Sequence, residues 1–331
     1  MCVNRFLSVL VLIALAACNG GNGSPPPFPT GARVLAGSIT EFSTGMRSAV
    51  QPIDIVAGAD GNLWFTEYVG GRIGRISPSG AITEFSTGIS AQALLYGITR
   101  GPDDNVWFTE SGFPYRVGRI TPAGVVTEFT GLSGRPVRIT AGPDGNLWFT
   151  EMNDRIGRIT QTGSVTEFSR GMTAGATPYD ITVGPEGNLW FTEENAGIGR
   201  ITTAGVITEF KSGIGANTQP LGIAVGSDAN LWFTERNGNR IGRITPAGAV
   251  TEFSAGITPA AQLFGITAGP DDNLWFTESN TNRVGRITTA GTVTEFSNGI
   301  TGVAQPYHIT VGPDGNLWFT ENAGDRIARL R

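Results

Sequence analysis

The stretch Gly142-Pro-Asp-Gly-Asn-Leu-Trp-Phe-Thr-Glu151 recurs with small changes seven times along this chain. Every tryptophan stands in such a copy, after leucine or valine and before Phe-Thr-Glu, and the seven are Trp64, Trp107, Trp148, Trp190, Trp232, Trp275 and Trp318. Their successive spacings are 43, 41, 42, 42, 43 and 43 residues. A period of about 40–50 residues with strand-like content is typical of a propeller blade. The repeat therefore predicts an all-β, seven-bladed propeller.

Each period contains four short stretches that favour a strand. In the fifth copy these are Pro220-Leu-Gly-Ile-Ala-Val, Leu231-Trp-Phe-Thr-Glu235, Arg240-Ile-Gly-Arg-Ile-Thr245 and Val250-Thr-Glu-Phe-Ser254. Turn sequences such as Gly-Pro-Asp-Gly and Thr-Pro-Ala-Gly separate them and predict type I turns with glycine in the left-handed position. Four antiparallel strands per copy form one blade. The tight turns fall at one end of the disc, and variable loops at the other end, where we expect any functional site.

The two ends of the repeat region complement each other. Ile327-Ala-Arg-Leu-Arg331 reads as a third strand with no fourth after it, and Ile39-Thr-Glu-Phe-Ser43 as a fourth strand with no first three before it. We expect the N-terminal strand to complete the seventh blade, which closes the ring and leaves no open edge. The propeller domain is predicted to span 38–331.

The first residues predict export. Arg5 precedes the apolar run 6–15, and Leu15-Ala16-Ala17-Cys18 resembles a bacterial lipobox, so 1–17 are predicted to be a lipoprotein signal peptide. Cys18 would carry lipid and attach the protein to the membrane of the bacterial cell envelope. Residues 18–37, rich in Gly, Ser and Pro, are predicted to be a tether. The alternative is an ordinary signal peptide with a chance cysteine.

Composition excludes several classes of function. The formal charge is −5 and no basic cluster is present, which argues against nucleic-acid binding. The two cysteines are Cys2 and Cys18, so the exported domain would have no thiol for a disulfide or a cysteine–metal site. We expect a monomer without a resident cofactor.

Two charged residue types recur in every copy. The glutamates after Trp-Phe-Thr are Glu67, Glu110, Glu151, Glu193, Glu235, Glu278 and Glu321. The arginines after Ile-Gly or its equivalent are Arg75, Arg119, Arg158, Arg200, Arg243, Arg286 and Arg329. The alternatives are a functional ring of acids or one structural Glu–Arg pair per blade, and the lack of asymmetry favours the pairs. The glutamates of Thr-Glu-Phe, on the outermost strand, are expected to be solvated.

Two adjacent positions differ between the copies, at the start of the innermost strand. The candidate ligand-binding residues there are Asp54, Tyr96, Arg138, Tyr179, Asp180, Phe264, Tyr307 and His308. Aromatic rings offer stacking surface and the charged groups offer orientation, so we expect a small-molecule, peptide or glycan site at the mouth of the central channel. The alternative is that the tyrosines only plug the channel. Asp54 and Asp180 are three blades apart, which disfavours a shared metal ion, and no nucleophile motif accompanies His308, the only histidine.

The unit Pro-x-x-Ile-Thr-x-Gly-Pro-Asp-Gly-Asn-Leu-Trp-Phe-Thr-Glu, followed by Ile-Gly-Arg-Ile-Thr and Thr-Glu-Phe, resembles the virginiamycin B (streptogramin B) lyase family from Ile39 to Arg331. The resemblance implies a seven-bladed propeller and Mg²⁺-dependent C–O elimination on cyclic depsipeptides. It places the family's two catalytic histidines and a glutamate on Phe264, Tyr307 and Gln305, none of which matches. His308 is one residue further on, and in a regular strand that shift points a side chain to the other face.

Three functions remain open on the sequence. The first is a lipid-anchored propeller that binds a ligand or a protein, which the missing catalytic residues favour. The second is a divergent carbon–oxygen lyase or lactone-opening enzyme, with His308 as the base and Mg²⁺ as its metal. The third is a purely structural role in the cell envelope.

Overall fold

The computed structural model describes residues 37–195 and 197–331. The predicted signal peptide, Cys18 and the tether up to residue 36 lie outside the described residues. Within the described ranges every regular element is a strand. No helix there is long and apolar enough to cross a membrane.

The strands form seven four-stranded antiparallel sheets, as the repeat predicted. In chain order the strands are β1 (Ile39–Phe42), β2 (Pro52–Ala57), β3 (Leu63–Glu67), β4 (Arg72–Ile76), β5 (Ile82–Phe85), β6 (Leu95–Arg100), β7 (Val106–Glu110), β8 (Arg116–Ile120), β9 (Val126–Phe129), β10 (Pro136–Ala141), β11 (Leu147–Glu151), β12 (Arg155–Ile159), β13 (Val165–Phe168), β14 (Pro178–Val183), β15 (Leu189–Glu193), β16 (Gly197–Ile201), β17 (Ile207–Phe210), β18 (Pro220–Val225), β19 (Leu231–Glu235), β20 (Arg240–Ile244), β21 (Val250–Phe253), β22 (Leu263–Ala268), β23 (Leu274–Glu278), β24 (Arg283–Ile287), β25 (Val293–Phe296), β26 (Pro306–Val311), β27 (Leu317–Glu321) and β28 (Arg326–Leu330). Blades 1 to 6 are β2–β5, β6–β9, β10–β13, β14–β17, β18–β21 and β22–β25.

Blade 7 joins the two ends of the domain. Its order is β26-β27-β28-β1, so the N-terminal strand supplies the outermost position. The pairing runs from Ile39 opposite Leu330 to Phe42 opposite Ile327. This confirms the predicted closure, which leaves the backbone of β28 paired on both sides.

The repeated Leu-Trp-Phe-Thr-Glu strand is buried on both faces. Trp64 packs with Leu95 and Phe108 of blade 2, whereas Phe65 packs with Trp318 of blade 7. Adjacent side chains of a strand point to opposite faces, so each blade presents Trp to one neighbour and Leu and Phe to the other. Burying one phenylalanine stabilises a fold by about 1.5–3 kcal/mol. The packed repeat therefore explains why alternation of apolar and polar residues is missing.

The threonine of the same motif joins each blade to the next. Thr66 Oγ1 donates a hydrogen bond of 2.7 Å to the Tyr96 carbonyl and accepts one from the Asp54 amide at 3.1 Å. The same donor bond runs from Thr109, Thr150, Thr192, Thr234, Thr277 and Thr320 to Val137, Tyr179, Leu221, Phe264, Tyr307 and Ile53. A buried hydroxyl must be paired, and here its partner is the inner strand of the adjacent blade.

The tight turns have the predicted conformation. Gly145, Gly315 and Gly124 adopt φ values of 75°, 71° and 87°, which glycine tolerates best. The aspartate of Gly-Pro-Asp-Gly has a further role, since Asp144 Oδ1 accepts a hydrogen bond of 2.9 Å from Trp148 Nε1. We call this side of the disc the hairpin end. The opposite side, where the inner strands begin, is the loop end.

Candidate functional site

A β-bulge shapes the start of every inner strand. In β26 the register shifts between Pro306 and Ile309, so Tyr307 and His308 together oppose Thr320. Both side chains consequently lie in the channel, where they contact residues of other blades. The expectation that a one-residue shift turns His308 to the other face is wrong, because the bulge inserts an extra residue and re-aims its side chain. The same shift occurs in all seven blades.

Three tyrosines from blades 2, 4 and 7 meet inside the channel at the loop end. The Oη atoms of Tyr96 and Tyr179 are 2.7 Å apart, those of Tyr96 and Tyr307 2.8 Å, and those of Tyr179 and Tyr307 3.0 Å. Burial, and then the other tyrosines, raise the pKa of Tyr96 and Tyr179 well above the ordinary value. The hydroxyls of Tyr96 and Tyr179 therefore stay protonated, and this tyrosine layer closes the channel mouth, which is one of the two alternatives that the sequence left open.

The positions that the family resemblance marks as catalytic lie in and beside this layer. The ring centroids of Phe264 and Tyr307 are 4.2 Å apart, and Arg236 Cζ lies 4.8 Å from the Phe264 ring. Gln305 is exposed, in a left-handed conformation with φ of 52°. Two packed aromatic rings and an amide provide neither the base nor the carboxylate and imidazole ligands of a Mg²⁺-dependent lyase. Within 37–195 and 197–331 no group of three His, Cys, Asp or Glu side chains could hold a metal ion.

The residues that follow the tyrosine positions form a charged layer. Arg138 Nη1 lies 2.6 Å from Asp54 Oδ2, and His308 Nδ1 lies 2.6 Å from Asp54 Oδ1. Burial by itself would raise the pKa of Asp54, but Arg138 and His308 outweigh it and hold that pKa well below the usual range. Burial by itself would lower the pKa of Arg138, but the neighbouring Asp54 outweighs burial and raises the pKa of the guanidinium above its usual value. The short contact places the imidazole of His308 against the ionised carboxylate of Asp54.

Asp180 completes the charged layer from blade 4. Its Oδ1 and Oδ2 accept hydrogen bonds of 2.9 and 3.0 Å from the Ile181 and Ile223 amides. Burial raises the pKa of Asp180, and Arg138 and His308 offset only part of this rise. The structure thus brings Asp54, Arg138 and His308 into contact, while Asp180 interacts electrostatically with Arg138.

A cavity of about 260 Å³ lies against the charged layer. Its walls are Asp54, Arg138, Asp180, His308 and the next one or two residues of the inner strands, and none of the three tyrosines contributes. Because those strands run from the loop end to the hairpin end, the cavity lies on the hairpin side of the charged layer. The channel therefore contains a tyrosine layer, a charged layer and a cavity, in that order. Asp54, Arg138, Asp180 and His308 therefore line a cavity toward the hairpin end, whereas we expected the site at the loop end.

The repeated charges pair differently from the prediction. Opposite Trp64 the register places Arg75, whose guanidinium stacks 5.4 Å from the Trp64 ring, while Glu67 is opposite Arg72. The predicted pairing of the repeated glutamate with the Gly-Arg arginine is therefore wrong by three residues along the strand. Arg75 Nη1 instead lies 3.8 Å from Asp60 Oδ2 of the hairpin turn.

The glutamates of the outermost strands are not solvated, contrary to expectation. Their side chains are only 10–19% exposed, as Glu84 and Glu252 show. Glu84 Oε1 accepts a 2.7 Å hydrogen bond from the Arg47 amide of the incoming loop. These carboxylates also raise the pKa of the inner glutamates, next after burial itself in most blades. The sequence contained a signal for this pairing of inner and outer glutamates, because both recur once in every copy of the repeat.

Sequence reasoning also missed three side chains around the tyrosine layer at the loop end. Tyr68 makes an edge contact with Tyr96 at 5.8 Å between ring centroids, and Arg135 Nη2 lies 3.5 Å from Tyr68 Oη. Arg236 stacks on Phe264. All three are half-buried. Tyr68 and Arg236 follow the repeated glutamate directly, so comparison of that position between copies could have found them.

Comparisons with known proteins agree with this architecture. The profile of the virginiamycin B lyase family matches residues 30–212, 90–259 and 214–331. The structure of selenomethionine-substituted virginiamycin B lyase from Staphylococcus aureus is 39% identical, with a TM-score of 0.81, over 88% of this chain and 98% of that one. A streptogramin B lyase structure is 36% identical, with a TM-score of 0.82, over 88% and 97% of the two chains.

A third solved structure holds a ligand. It is a catalytically inactive His-to-Ala variant of the Staphylococcus aureus virginiamycin B lyase with quinupristin, 39% identical over 88% of this chain and 98% of that chain, with a TM-score of 0.80. A comparison with curated proteins yields no match. The family profile covers the whole propeller, and the solved lyases share its size and fold. The chain belongs to the virginiamycin B lyase family.

Proposed function

We propose that this protein is a ligand-binding propeller whose binding face is the loop end, and that it is not a streptogramin lyase. The observation that carries the proposal is the tyrosine layer. Phe264 and Tyr307, at the positions that the resemblance marks as catalytic, are packed ring to ring at 4.2 Å. With the channel closed at that level, a ligand would rest on the layer rather than enter it.

The chemistry of the face indicates the class of ligand. Tyr96 and Tyr307 are half-buried and Tyr68 stands edge-on beside Tyr96, so aromatic surface remains accessible. Arg135 and Arg236 flank it. Aromatic surface with few rotatable bonds suits peptides and sugars, and arginines add affinity for carboxylates or phosphates. We therefore propose a peptide, glycan or small aromatic ligand, with preference for an acidic one.

Binding to peptide and glycan arrays, followed by calorimetry on the best ligand, tests the proposal. Tyr68→Ala and Arg236→Gln should each weaken binding about tenfold, equivalent to about 1.4 kcal/mol. Val125→Ala is the matched control, because Val125 is exposed at the hairpin end. Equal affinity of all four proteins, or no ligand on either array, would refute the loop-end site.

A divergent lyase or lactone-opening enzyme is the second candidate. The observation that favours it is the 2.6 Å contact between His308 Nδ1 and Asp54, which orients the imidazole as in many general bases. His308 Nε2 would accept a proton from the carbon next to the breaking C–O bond. The soluble domain and its His308→Gln variant should be incubated with streptogramin B and with lactones, with and without Mg²⁺ or Ca²⁺. Turnover that His308→Gln abolishes supports this candidate, and no turnover across the panel removes it.

We further propose that the propeller is exported and anchored through lipidated Cys18 as a monomer in the cell envelope. The support is the lipobox-like Leu15-Ala16-Ala17-Cys18 with the Gly/Ser/Pro-rich stretch behind it. Labelled palmitate should enter the full-length protein in cells but not the Cys18→Ser variant. A labelled Cys18→Ser protein, or an unlabelled wild type, would contradict the anchor.

A further inference from the structure

Each of the seven inner strands carries an isoleucine directly after its bulge, and two aspartates cap the amides of four of these residues. Asp54 accepts from the Ile55 amide at 2.8 Å and from the Ile98 amide of the next blade at 3.0 Å. Asp180 bridges the Ile181 and Ile223 amides in the same way. One carboxylate thus serves two adjacent blades, each oxygen accepting from one strand edge.

Among the residues that the structure describes, no carboxylate caps the amides of Ile139, Ile266 and Ile309 in this way. Each of these isoleucines lies in the blade after one that has glycine at the position equivalent to Asp54 and Asp180. The three glycines are Gly97, Gly222 and Gly265. The two strand edges at Ile266 and Ile309 belong to neighbouring blades 6 and 7, as Ile55 and Ile98 belong to blades 1 and 2. By the symmetry of the repeat, this pair of amides is arranged for a third bridging carboxylate.

This chain cannot supply that carboxylate from the equivalent position. A Cβ on Gly265 would lie 2.9 Å from His308 Cα and from the Tyr307 carbonyl oxygen, closer than real Cβ contacts. The backbone of blade 7 therefore excludes an aspartate at 265. The channel axis remains open to a ligand, because Ile266, Ile309 and His308 all line the cavity.

We propose that the cavity binds a small carboxylate, whose two oxygens accept from the Ile266 and Ile309 amides as Asp54 does between blades 1 and 2. Arg138 lines the same cavity beside Asp54, Asp180 and His308, and its guanidinium is the permanent cation among these four. Because Arg138 is shared with Asp54 at 2.6 Å, the proposed affinity comes from the two backbone amides rather than from a net positive charge. A volume of about 260 Å³ admits molecules from acetate up to the size of an amino acid, and excludes a cyclic depsipeptide.

Isoleucine-selective ¹⁵N NMR of the soluble domain tests the site directly. Acetate is titrated against the protein at constant ionic strength, with sodium chloride as the balancing salt. We expect saturable shifts of the Ile266 and Ile309 amides. The amides of Ile55, Ile98, Ile181 and Ile223 are capped and serve as internal controls, which should move less than a third as far.

The Gly265→Ala variant provides a matched test in the same spectrum. Its added Cβ would lie 2.9 Å from His308 Cα and from the Tyr307 carbonyl oxygen and 3.2 Å from the Ile309 nitrogen, so the strand edge must shift at the proposed amides and we expect at least a tenfold weaker response to acetate. Unchanged control amides show that the ring remains folded. Linear or uniform shifts of all seven amides, an equal response to chloride, or undiminished binding by a folded variant would each overturn the proposal. The cavity is separated from the loop-end face by the tyrosine layer, so this result is independent of the ligand proposed there.

Discussion

At the scale of single residues, blade 4 shows how one substitution in the repeat is compensated by another. Six blades begin their third strand with arginine, and blade 4 has Gly197 instead. In blade 6, Arg283 Nη1 bonds Glu295 Oε2 at 2.5 Å and Thr258 Oγ1 at 2.8 Å. In blade 4 the ammonium of Lys211 contacts the equivalent pair. Lys211 therefore supplies from the end of the outer strand the charge that Gly197 does not provide.

Lys211→Ala should destabilise the propeller by about 0.5 kcal/mol, the usual value for a partly exposed ion pair. Lys211 Nζ lies 2.9 Å from Glu209 Oε2 and 2.5 Å from Thr173 Oγ1, and its side chain is 47% exposed. Urea denaturation measures the change. The matched control is Arg170→Ala, a nearby exposed cation, which should change the free energy of unfolding by less. Equal effects of the two substitutions would show that Lys211 does not replace the arginine.

The same scale shows what the sequence could reveal about the site. The tryptophan spacing identified the variable position, and the structure places its residues in one channel. Their order along the channel could not be predicted, because a bulge carries no marked composition. Reading Tyr307 and His308 as successive residues of a regular strand sends them to opposite faces, whereas the bulge puts both inside. The partner of the repeated glutamate was missed for a related reason, since register is fixed by hairpin length rather than by charge.

At the scale of elements, the threonine of the second strand joins neighbouring blades. Thr192 Oγ1 donates to the Leu221 carbonyl at 2.5 Å and accepts from the Asp180 amide at 3.0 Å. Thr192→Val keeps the shape but leaves two buried backbone groups unpaired, so we expect a loss of about 1–3 kcal/mol. Thr127→Val on the exposed face of β9 is the control and should stay within about 0.5 kcal/mol. Thermal unfolding of both variants gives the comparison, and a neutral Thr192→Val would contradict the role.

The closing strand is the second test at this scale. Phe42 of β1 stacks on Trp318 at 5.4 Å, and Arg329 Cζ lies 5.2 Å from the Phe42 ring. A chain that begins at residue 43 would expose Trp318 and the unpaired edge of β28, and exposed edges pair with other chains. We expect a lower melting temperature and concentration-dependent oligomers by light scattering. A chain that begins at residue 37 is the control, and a monomeric, equally stable shorter chain would show that closure is dispensable.

At the scale of elements, most of the fold could be predicted from the sequence. Each strand follows from a short repeated phrase, and the closure follows from a third strand at one end and a fourth at the other. Burial on both faces followed from the absence of alternation. The low solvent exposure of the glutamates on the outermost strand could not be predicted, because the loop that enters the blade bends over this strand. Glu84 thus accepts the amide of Arg47, a residue of that loop.

At the scale of the whole molecule, the ring contains one buried glutamate per blade. Each of the seven is fully buried and has at least one carboxyl oxygen without a hydrogen-bond partner. Burial raises the pKa of six of them to about 8 and that of Glu321 to about 7. A protonated carboxyl group turns an unpaired acceptor into a donor that can serve the neighbouring outer glutamate. Six of these glutamates are therefore mostly protonated at neutral pH, and Glu321, which pairs with Arg326 at 2.7 Å, is about half protonated.

This arrangement fixes the sign of the pH dependence. In the unfolded chain a glutamate loses its proton near its ordinary pKa of 4.5, whereas in the fold it keeps the proton up to a pKa of about 8. The unfolded state then binds fewer protons, so the free energy of unfolding falls as pH rises from about 4.5 to 8. Asp54, whose pKa is lowered, contributes stability that is lost only at more acidic pH. The melting temperature should accordingly be higher at pH 5.5 than at pH 8.5.

Replacing one glutamate by its neutral isostere isolates the cause. Glu110→Gln should stabilise the protein at pH 8.5, where wild-type Glu110 must ionise in a buried site, and should have little effect at pH 5, where the native carboxyl is already neutral. The difference in unfolding free energy should grow by about 1.4 kcal/mol per pH unit below the raised pKa. Glu128→Gln is the control, because it replaces one of the two carboxylate oxygens that accept from the Ser90 amide and hydroxyl with an NH2 group and should destabilise at both pH values. A Glu110→Gln effect that is the same at both pH values would mean that this glutamate is ionised in the fold, and that the ring depends on its arginines rather than on retained protons.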